Sequence, residues 1–419
     1  MSTSITIWRR ALLASFLLLA TVVSAAADEV VRWNRVATSV AAAANTDPVT
    51  ESRVFAILHV AIHDAVNAVD PRYQSYHTHL PVAGNASAEA AAAAAAHTVL
   101  VELLPAGRAV FDETLEDTLR SIADGAARTR GLEIGRRVAA GILEARKSDG
   151  ANRTVTYQPG SKPGDYRPTP PDFTPAFMAH WGRVTPFVLR TPAQFRPLPP
   201  PPVTTAEALE DLDEVRVAGA KEGSVRTDEQ SEIARYWYEN STQGWNRIAR
   251  EVSAARKLNL WENARLFALV NLAMADGFIA GFEAKYYYNY WRPATALREA
   301  GYGGWLSFLD TPPAPDYPST HTVLGAAAAM VMARFFGTDF VSFSTTSGAP
   351  YPGITRRFWS FSSAARENGA SRVLAGVHFR AAVRAGYQQG ESVGSLVFEQ
   401  MLRPLEQHAV VTQSRVSSR

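Results

Sequence analysis

The sequence predicts an all-α fold. Apolar residues recur at helical spacing in several long segments, alternation of the kind that marks strands is scarce, and turn signals such as Asp70-Pro71 close the segments. The apolar share of 47 % and the charged share of 20 % are those of an ordinary globular protein. At 419 residues the chain is long for one core and sufficient for two, taking ~100–200 residues per domain.

The predicted helices fall on both sides of a proline-rich segment. A buried helix starts near Ser52, and an alanine-rich helix that allows close approach of its neighbours covers 86–104. The longest candidate, apolar on more than one face, is expected at the centre of the fold. This longest helix covers 261–288, and the remaining predicted helices cover 131–150, 205–220, 226–240, 320–337 and 358–402.

Residues 157–203 contain too many prolines to form a long helix. The segment is either a free linker or an extended stretch that wraps over the surface. Large apolar side chains favour wrapping, because a free linker would not need such anchors. The candidate anchors are Phe173, Phe177, Trp181, Phe187 and Phe195.

The first 27 residues have the layout of a secretory signal. Arg9 and Arg10 precede an apolar run from Ala11 to Val23, and small residues continue to Ala27. A membrane anchor is the alternative, but the run is short of the ~20 residues needed to span a bilayer. We therefore expect a secreted or periplasmic protein, with no later segment long and apolar enough to span a membrane.

Composition excludes several function classes. A net charge of +2 gives no support for nucleic acid binding. The chain has no cysteine, which excludes disulfides, thiol catalysis and thiolate metal sites. It also has no motif for heme, flavin or nucleotide.

Two cations lie in the stretch KYYYNYWRPATALR, residues 285–298. Lys285 and Arg292 are seven residues apart and would share one helix face to within ~20°. Pro293 disfavours helical geometry at Arg292, which is therefore expected at the helix exit. The neighbouring rings, residues 286–288, 290 and 291, are predicted to wall the cations off from water. Two solvated cations at a helix end are the alternative.

The stretch PSTH, residues 318–321, precedes a long apolar segment and predicts a helix N-terminus. Unpaired amides at such an end favour an anion. Ser319 offers a hydroxyl, Thr320 a backbone N–H, and His321 a proton donor. A capped helix that happens to carry a histidine is the alternative.

The stretch SRVLAGVHFRAA supplies a third cation and a second histidine. Ser371 and His378 are also seven apart and are expected to face one way across two helical turns. Arg372 has a planar fork suited to phosphate-like oxygens. Together the three stretches predict a site for a tetrahedral oxyanion.

The order Lys, six residues, Arg-Pro, then Pro-Ser-x-His, then Ser-Arg, five residues, His resembles the signature of vanadium-dependent haloperoxidases and type 2 phosphatidic acid phosphatases. Other stretches, such as LHVAIHDAVNAV, look more like the soluble bacterial haloperoxidase branch. The resemblance implies two helical bundles, 28–156 and 204–403, with the active site in the second bundle and a flexible tail at 404–419.

The resemblance also implies roles for the site residues. His378 would bond the vanadium of vanadate, or attack phosphorus in a phosphatase, and His321 would act as acid–base group on peroxide or on the leaving group. The groups expected to hold the oxygens of vanadate or phosphate are Lys285, Arg292, Ser319, the Thr320 amide and Arg372. The partners would be hydrogen peroxide and halide, or a phosphate ester. A degenerate homologue that binds anions without turnover is a third possibility.

Two positions depart from the family pattern. Thr320 stands where glycine is usual, so its Cβ could disturb the anion contact. Ala382 stands where an aspartate usually follows the last histidine by four residues and orients it. No acid follows His378 before Glu391, so we expect no replacement in this helix.

The remaining polar residues of the apolar helices are assigned mainly structural roles. His59 and His63, with Asp64, could form a divalent metal pair, but bonding within or between the bundles is favoured. Asp276 is a candidate partner for an arginine of the site.

Overall fold

The computed structural model describes residues 28–406. The predicted signal at 1–27 and residues 407–419 of the predicted tail lie outside the described residues. The start of the tail is not loose, because Pro404 pairs with Tyr73 and the Leu405 N–H donates to the Arg72 carbonyl at 2.9 Å. The N-terminal helices are α1 (Glu29–Ala43), α2 (Pro48–Val69), α3 (Ala88–Leu103), α4 (Arg108–Ser121) and α5 (Ala126–Arg146). After the proline-rich segment follow α6 (Ala206–Ala218), α7 (Asp228–Tyr236), α8 (Ser241–Arg256), α9 (Leu260–Tyr288), α10 (Pro293–Glu299), α11 (Thr320–Phe336), α12 (Phe361–Leu374) and α13 (Arg380–Gln400).

The all-α prediction is confirmed. Within 28–406 the strands are limited to a short antiparallel hairpin, β1 (Phe343–Thr346) and β2 (Thr355–Phe358), with Phe343 opposite Phe358. Short 3₁₀ turns cover Pro105–Gly107 and Trp181–Arg183. The hairpin connects α11 to α12, in the C-terminal half of the chain, which also carries the three motifs.

Helix α9 is the central element. Asn259 caps its first turn and Glu262 completes a reciprocal capping box, while Asn289 in the left-handed conformation ends the helix. The helix packs against α2 of the N-terminal half and against α11 and α13 of the C-terminal half. One continuous apolar core therefore joins the two halves.

The expectation that no segment is long and apolar enough to span a membrane is wrong for α9. Its 29 residues satisfy length and composition, but 94 % of its most apolar window is buried inside the protein. A core helix of a soluble fold has the same properties, so this helix is weak evidence for a membrane.

Small residues let α13 approach α11 closely. Cβ atoms added at Gly386 and Gly390 would lie 2.6 Å and 2.2 Å from the carbonyl oxygens of Ser319 and Val323. The two backbones are therefore almost in contact. This packing fixes the N-terminus of α11 against the start of α13, where the second and third motifs lie.

The proline-rich segment is tied to α9. The carboxylate of Asp276, on α9, accepts hydrogen bonds from the backbone N–H groups of Phe187, Val188 and Leu189 at 2.7–2.8 Å. Trp181 is buried, but Phe173 is 57 % exposed and is not an anchor. The prediction that Asp276 pairs with an arginine of the site is wrong, because its oxygens bind this segment.

The predicted helix 358–402 is broken in two. Helix α12 ends at Leu374, Gly376 adopts a positive φ of 78°, and α13 begins at Arg380. A Cβ at Gly376 would lie 2.2 Å from the Gly219 carbonyl oxygen, so the turn also needs glycine for space. The expectation that Ser371 and His378 share a helix face is therefore wrong, and His378 lies in the connection.

Candidate functional site

The structure brings the predicted residues together at the ends of five helices. Lys285 lies in the last turn of α9 and Arg292 caps α10. The PSTH stretch begins α11, Arg372 lies in the last turn of α12, and His378 precedes α13. Lys285, Arg292, Ser319, Arg372 and His378 are each at most 2 % exposed.

The first two cations are held by backbone carbonyls. Lys285 Nζ donates to the carbonyl oxygens of Pro315 and Asp316, at 2.6 Å and 3.0 Å. Arg292 donates from Nε to Ala314 and from Nη1 to Val377, both at 2.6 Å. Burial lowers the pKa of Lys285 well below its ordinary value, and the nearby charge of Arg292 lowers it further. A bound anion would counter both effects.

Arg292 is non-helical, as Pro293 predicted, but it lies at the start of α10 and not at the exit of α9. The helix has already ended at Asn289, and Pro293 is the first residue of α10, where its missing N–H costs nothing. Arg292 itself has extended backbone angles, φ −87° and ψ 157°.

Arg372 has free donors. Its Nη1 lies 3.4 Å from the Trp237 carbonyl oxygen, a long contact, and its guanidinium carbon lies 5.5 Å from the centroid of the Tyr238 ring. Its Nε and Nη2 are buried and meet no hydrogen-bond acceptor among residues 28–406. Burial lowers the pKa of Arg372 to about 10. Unpaired buried donors are costly, so this guanidinium is suited to a ligand that accepts hydrogen bonds.

The contacts of His378 define its tautomer. Arg292 Nη1 lies 3.1 Å from His378 Nε2 and can only donate, so Nε2 is the acceptor and Nδ1 carries the hydrogen. Nδ1 lies 2.9 Å from Oδ1 of Asp316, although the N–H is not aimed at that oxygen. Burial, then the charges of Arg292, Lys285 and Arg372, lower the pKa of His378 well below its ordinary value. The ring is therefore neutral, with its Nε2 lone pair toward the cations.

His321 is neutral as well. Its Nε2 lies 3.3 Å from the carbonyl oxygen of Glu239, which can only accept, so Nε2 carries the hydrogen and Nδ1 is the free acceptor. Burial and the charge of Arg372 lower its pKa well below the ordinary value. The side chain keeps some contact with solvent. A neutral imidazole of this kind can take up a proton.

The N-terminus of α11 differs from a simple capped helix. Ser319 makes no side-chain cap bond, and its Oγ accepts a hydrogen bond from Thr322 at 2.9 Å. The hydroxyl hydrogen of Ser319 therefore remains available to a ligand. Thr320 is the first helical residue and is not among those with positive φ, so the concern that glycine geometry is needed there is wrong.

Gly281 makes room for the Thr320 side chain. A Cβ added at Gly281, on α9, would lie 2.7 Å from Cγ2 of Thr320. The extra carbons of threonine thus occupy space left by a glycine of the facing helix. The backbone N–H of Thr320 keeps the orientation of a first-turn amide.

The aromatic residues after Lys285 do less to shield the cations than predicted. Tyr287 is 61 % exposed. The hydroxyls of Tyr286, Tyr288 and Tyr290 donate to carbonyl oxygens of the proline-rich segment, at Phe177, Pro197 and Pro201 respectively. These tyrosines mainly tether that segment over the site.

Sequence reasoning missed Asp316. It is fully buried and lies three residues before Ser319, on the loop that also supplies carbonyls to Lys285. Its signal was the acid in PDYPSTH, a charged residue between two prolines directly before the motif. The turn at residues 237–239, which contacts Arg372 and His321, carries no signal in the sequence.

The polar residues of α2 that were considered as a metal pair make structural contacts instead. His59 pairs with the amide of Asn34 at 2.8 Å, and burial lowers its pKa to about 3. Asp64 accepts three backbone N–H groups, from residues 76–78. Within residues 28–406 no group of three His, Cys, Asp or Glu side chains is placed to hold a metal ion. A divalent metal pair at this helix is therefore not supported.

The arrangement fits a tetrahedral oxyanion. Three buried basic side chains lie near two neutral imidazoles. Burial raises the pKa of the Asp316 carboxyl to about 7, and the charges of Arg292 and Lys285 offset part of that rise. The free donors of Arg372 and the Nε2 lone pair of His378 match the oxygens and the central atom of vanadate. Fold and site thus define an all-α protein with a buried cluster of basic side chains and imidazoles.

Comparison with known proteins identifies the family. Residues 27–175 match the vanadium chloroperoxidase N-terminal domain, and residues 265–407 match the second helical-bundle domain of the same enzymes. The chain belongs to the vanadium haloperoxidase family. The prediction of a haloperoxidase-like helical-bundle fold is confirmed.

Individual relatives agree with this. The vanadium chloroperoxidase of Curvularia inaequalis is 29 % identical over 246 residues, 42 % of this chain and 40 % of that protein. The chain thus matches well under half of this curated relative. A bacterial vanadium-dependent iodoperoxidase structure superposes with a TM-score of 0.80 and 29 % identity, covering 90 % of this chain and 97 % of the other. A bacterial vanadium-dependent chloroperoxidase shares the fold at 19 % identity and a TM-score of 0.70, covering 84 % and 94 %.

Proposed function

We propose that the protein is a vanadate-dependent haloperoxidase, which uses hydrogen peroxide to oxidise halide. The observation that carries the proposal is the pair of unpartnered buried donors on Arg372 beside a neutral His378 whose Nε2 lone pair faces the cations. An oxyanion with a metal centre would accept hydrogen bonds from the Arg372 donors, and its metal would take the Nε2 lone pair in place of the Arg292 contact. Family membership supports the same function.

Each residue has a distinct task in this proposal. Lys285 and Arg292 are fixed by backbone carbonyls, so their donor groups are in position before the anion arrives, and the anion's charge would favour the protonated form of Lys285. Arg372 would donate from Nε and Nη2 to two oxygens. The Ser319 hydroxyl and the Thr320 amide would add neutral donors, and His378 Nε2 would ligate the vanadium.

When bound, vanadate supplies a Lewis-acidic centre that activates hydrogen peroxide for oxygen transfer to halide without a change in its own oxidation state. The chain contributes electrostatics and proton handling. His321 is neutral, with Nδ1 free, and can accept a proton from hydrogen peroxide as it binds. Arg372 nearby disfavours the charged imidazolium, so the proton is readily passed on.

Paired activity assays test the proposal. Purified protein, with and without added orthovanadate, is assayed for peroxide-dependent bromination or iodination of an indicator dye and for hydrolysis of an aryl phosphate. We expect halogenation that requires vanadate. Hydrolysis inhibited by vanadate would instead establish a phosphatase acting through His378, and inactivity in both assays would indicate a protein that binds anions without turnover. His378→Ala should abolish the activity, whereas His97→Ala, a matched control on α3 whose ring bonds to Asp112, should retain it.

We further propose export of the protein, on the pattern of residues 1–27. Expression of the full chain with fractionation tests this. Mature protein outside the cytoplasm, with an N-terminus near residue 28, supports export, whereas full-length protein confined to the cytoplasm contradicts it.

A further inference from the structure

The loop before α11 carries a carboxylate at the position where the ring of His378 needs a partner. Asp316 is fully buried, and its Oδ1 lies 2.9 Å from His378 Nδ1 and 3.9 Å from Arg292 Nη1. Neither of its oxygens accepts a well-aligned hydrogen bond within residues 28–406. Burial raises the pKa of Asp316 to about 7, and the positive charges of Arg292 and Lys285 and the backbone N–H of Phe379 oppose this rise. A buried carboxylate without aligned donors is expensive, so this side chain has a reason beyond packing.

Position 382 explains why a carboxylate on this loop is needed. Phe379 caps α13, which places Ala382 at the third helical position. Helix side chains tilt toward the N-terminus, so an aspartate there would point back toward His378. Alanine cannot supply that contact, and a small pocket, partly open to solvent, is lined by both Asp316 and Ala382.

We propose that Asp316 is the positioning residue of His378 and takes over, from a different segment of the chain, the task of the aspartate that Ala382 replaces. The inference rests on the proposed function of His378 as ligand. Asp316 accepts the Nδ1 hydrogen and so keeps the Nε2 lone pair directed at the anion. A small rotation of the imidazole aligns the N–H with Oδ1, since the distance already lies in the hydrogen-bond range.

The tautomer argument and the loop geometry support each other. Arg292 donates to Nε2, which leaves the hydrogen on Nδ1, where Asp316 is the acceptor within reach. The same loop provides carbonyl acceptors to Lys285 and Arg292. One short segment thus holds Lys285 and Arg292 and also carries the carboxylate beside His378. It is anchored by the backbone hydrogen bond from the Asp316 N–H to the Tyr290 carbonyl at 2.8 Å.

A carboxylate swap tests the inference. The variants are Asp316→Ala, Asp316→Asn and the double variant Asp316→Ala with Ala382→Asp. Asparagine keeps an oxygen acceptor without the charge, and the double variant returns the carboxylate from the helix. Thermal unfolding confirms that each variant is folded before it is used; should Asp316→Ala not fold, Asp316→Asn and the double variant carry the test.

Two readouts are taken, one of which needs no anion. The first is the downfield NMR resonance of the His378 Nδ1 hydrogen, assigned by its loss in His378→Gln. We expect it in the wild type and in Asp316→Asn, expect it to disappear in Asp316→Ala, and expect it to return in the double variant. The second is orthovanadate affinity by calorimetry, which should fall ~10–100-fold in Asp316→Ala and recover at least tenfold in the double variant.

The outcomes separate this inference from the proposed function. A protein that binds no vanadate, but whose resonance is present in the wild type and lost in Asp316→Ala, refutes the proposed function and leaves the Asp316 contact established. A resonance that is missing in the wild type, or unchanged in Asp316→Ala, overturns the inference. Vanadate binding equal in wild type and Asp316→Ala overturns it too, whatever the resonance shows, because positioning must then have no effect on the ligand.

Discussion

The contact between Gly281 and Thr320 allows a direct test of how α9 positions the start of α11. Gly281→Ala would place a Cβ 2.7 Å from Cγ2 of Thr320. Ordinary carbon–carbon contact begins near ~3.5 Å, so one of the two groups must move by roughly 1 Å. Threonine is stiff in a helix, which makes movement of the α11 backbone the expected response.

The consequence is predicted for both stability and binding. Overpacking of this kind costs ~1–3 kcal/mol of unfolding free energy. A displacement of about 1 Å in the Thr320 amide would lower orthovanadate affinity on the order of 10–100-fold. Calorimetric titration measures the affinity and thermal unfolding the stability.

Two matched variants control this experiment. Gly277→Ala, one turn earlier on α9, meets Val323 at 3.3 Å, so a smaller adjustment suffices and near-normal affinity is expected. Adding Thr320→Gly to Gly281→Ala removes the clash and should restore affinity. Unchanged vanadate binding in Gly281→Ala, or no recovery in the double variant, would refute the reasoning.

Three further predictions concern other buried groups. Burial raises the pKa of Glu51 to about 8 from its ordinary 4.5. The protonated side chain therefore stabilises the folded state fully below pH ~4.5, and this stabilisation is lost as the pH rises through 8. Each pH unit between the two pKa values lowers the unfolding free energy by about 1.4 kcal/mol. Glu51→Gln should therefore flatten the fall in unfolding temperature from pH 5 to 9, whereas exposed Glu144→Gln should not. Asp276→Ala leaves three backbone N–H groups without their acceptor and should cost at least ~3 kcal/mol in urea unfolding, a smaller loss contradicting the anchoring role. Arg372→Lys removes the planar fork and should weaken vanadate binding ~10–100-fold while changing the unfolding temperature little; equal affinity would exclude bidentate contact.

Helical periodicity predicted the all-α fold because the apolar spacing and the capping residues of each helix are visible in the local sequence. Helix α9 was predicted at 261–288 and observed as Leu260–Tyr288, since a capping asparagine and a left-handed asparagine delimit an apolar stretch. The break between α12 and α13 was not predictable from periodicity, because it depends on Gly376 facing the Gly219 backbone, a contact between distant segments. The boundaries of the two bundles remain predictions.

The candidate site was also predicted only in part, because some of its contacts depend on residues far apart in the sequence. Lys285 and Arg292 do not share a helix face as their seven-residue spacing predicted, because α9 ends at Tyr288 and Arg292 lies at the start of α10; the structure nevertheless buries both side chains. The partner of His378 could not be found by searching its own helix, because Asp316 reaches it from a loop more than sixty residues earlier. A missing acid at 382 and an unexplained acid at 316 were each visible in the sequence, but only the fold brings them together.

The claim that the basic side chains converge on one oxyanion is tested most directly by the crystal structure of the protein soaked with orthovanadate. We predict a bound anion with oxygens within hydrogen-bond distance of Arg372 Nε and Nη2, and with its vanadium bonded to His378 Nε2. An empty centre at saturating vanadate, or an anion bound away from both side chains, would contradict this account.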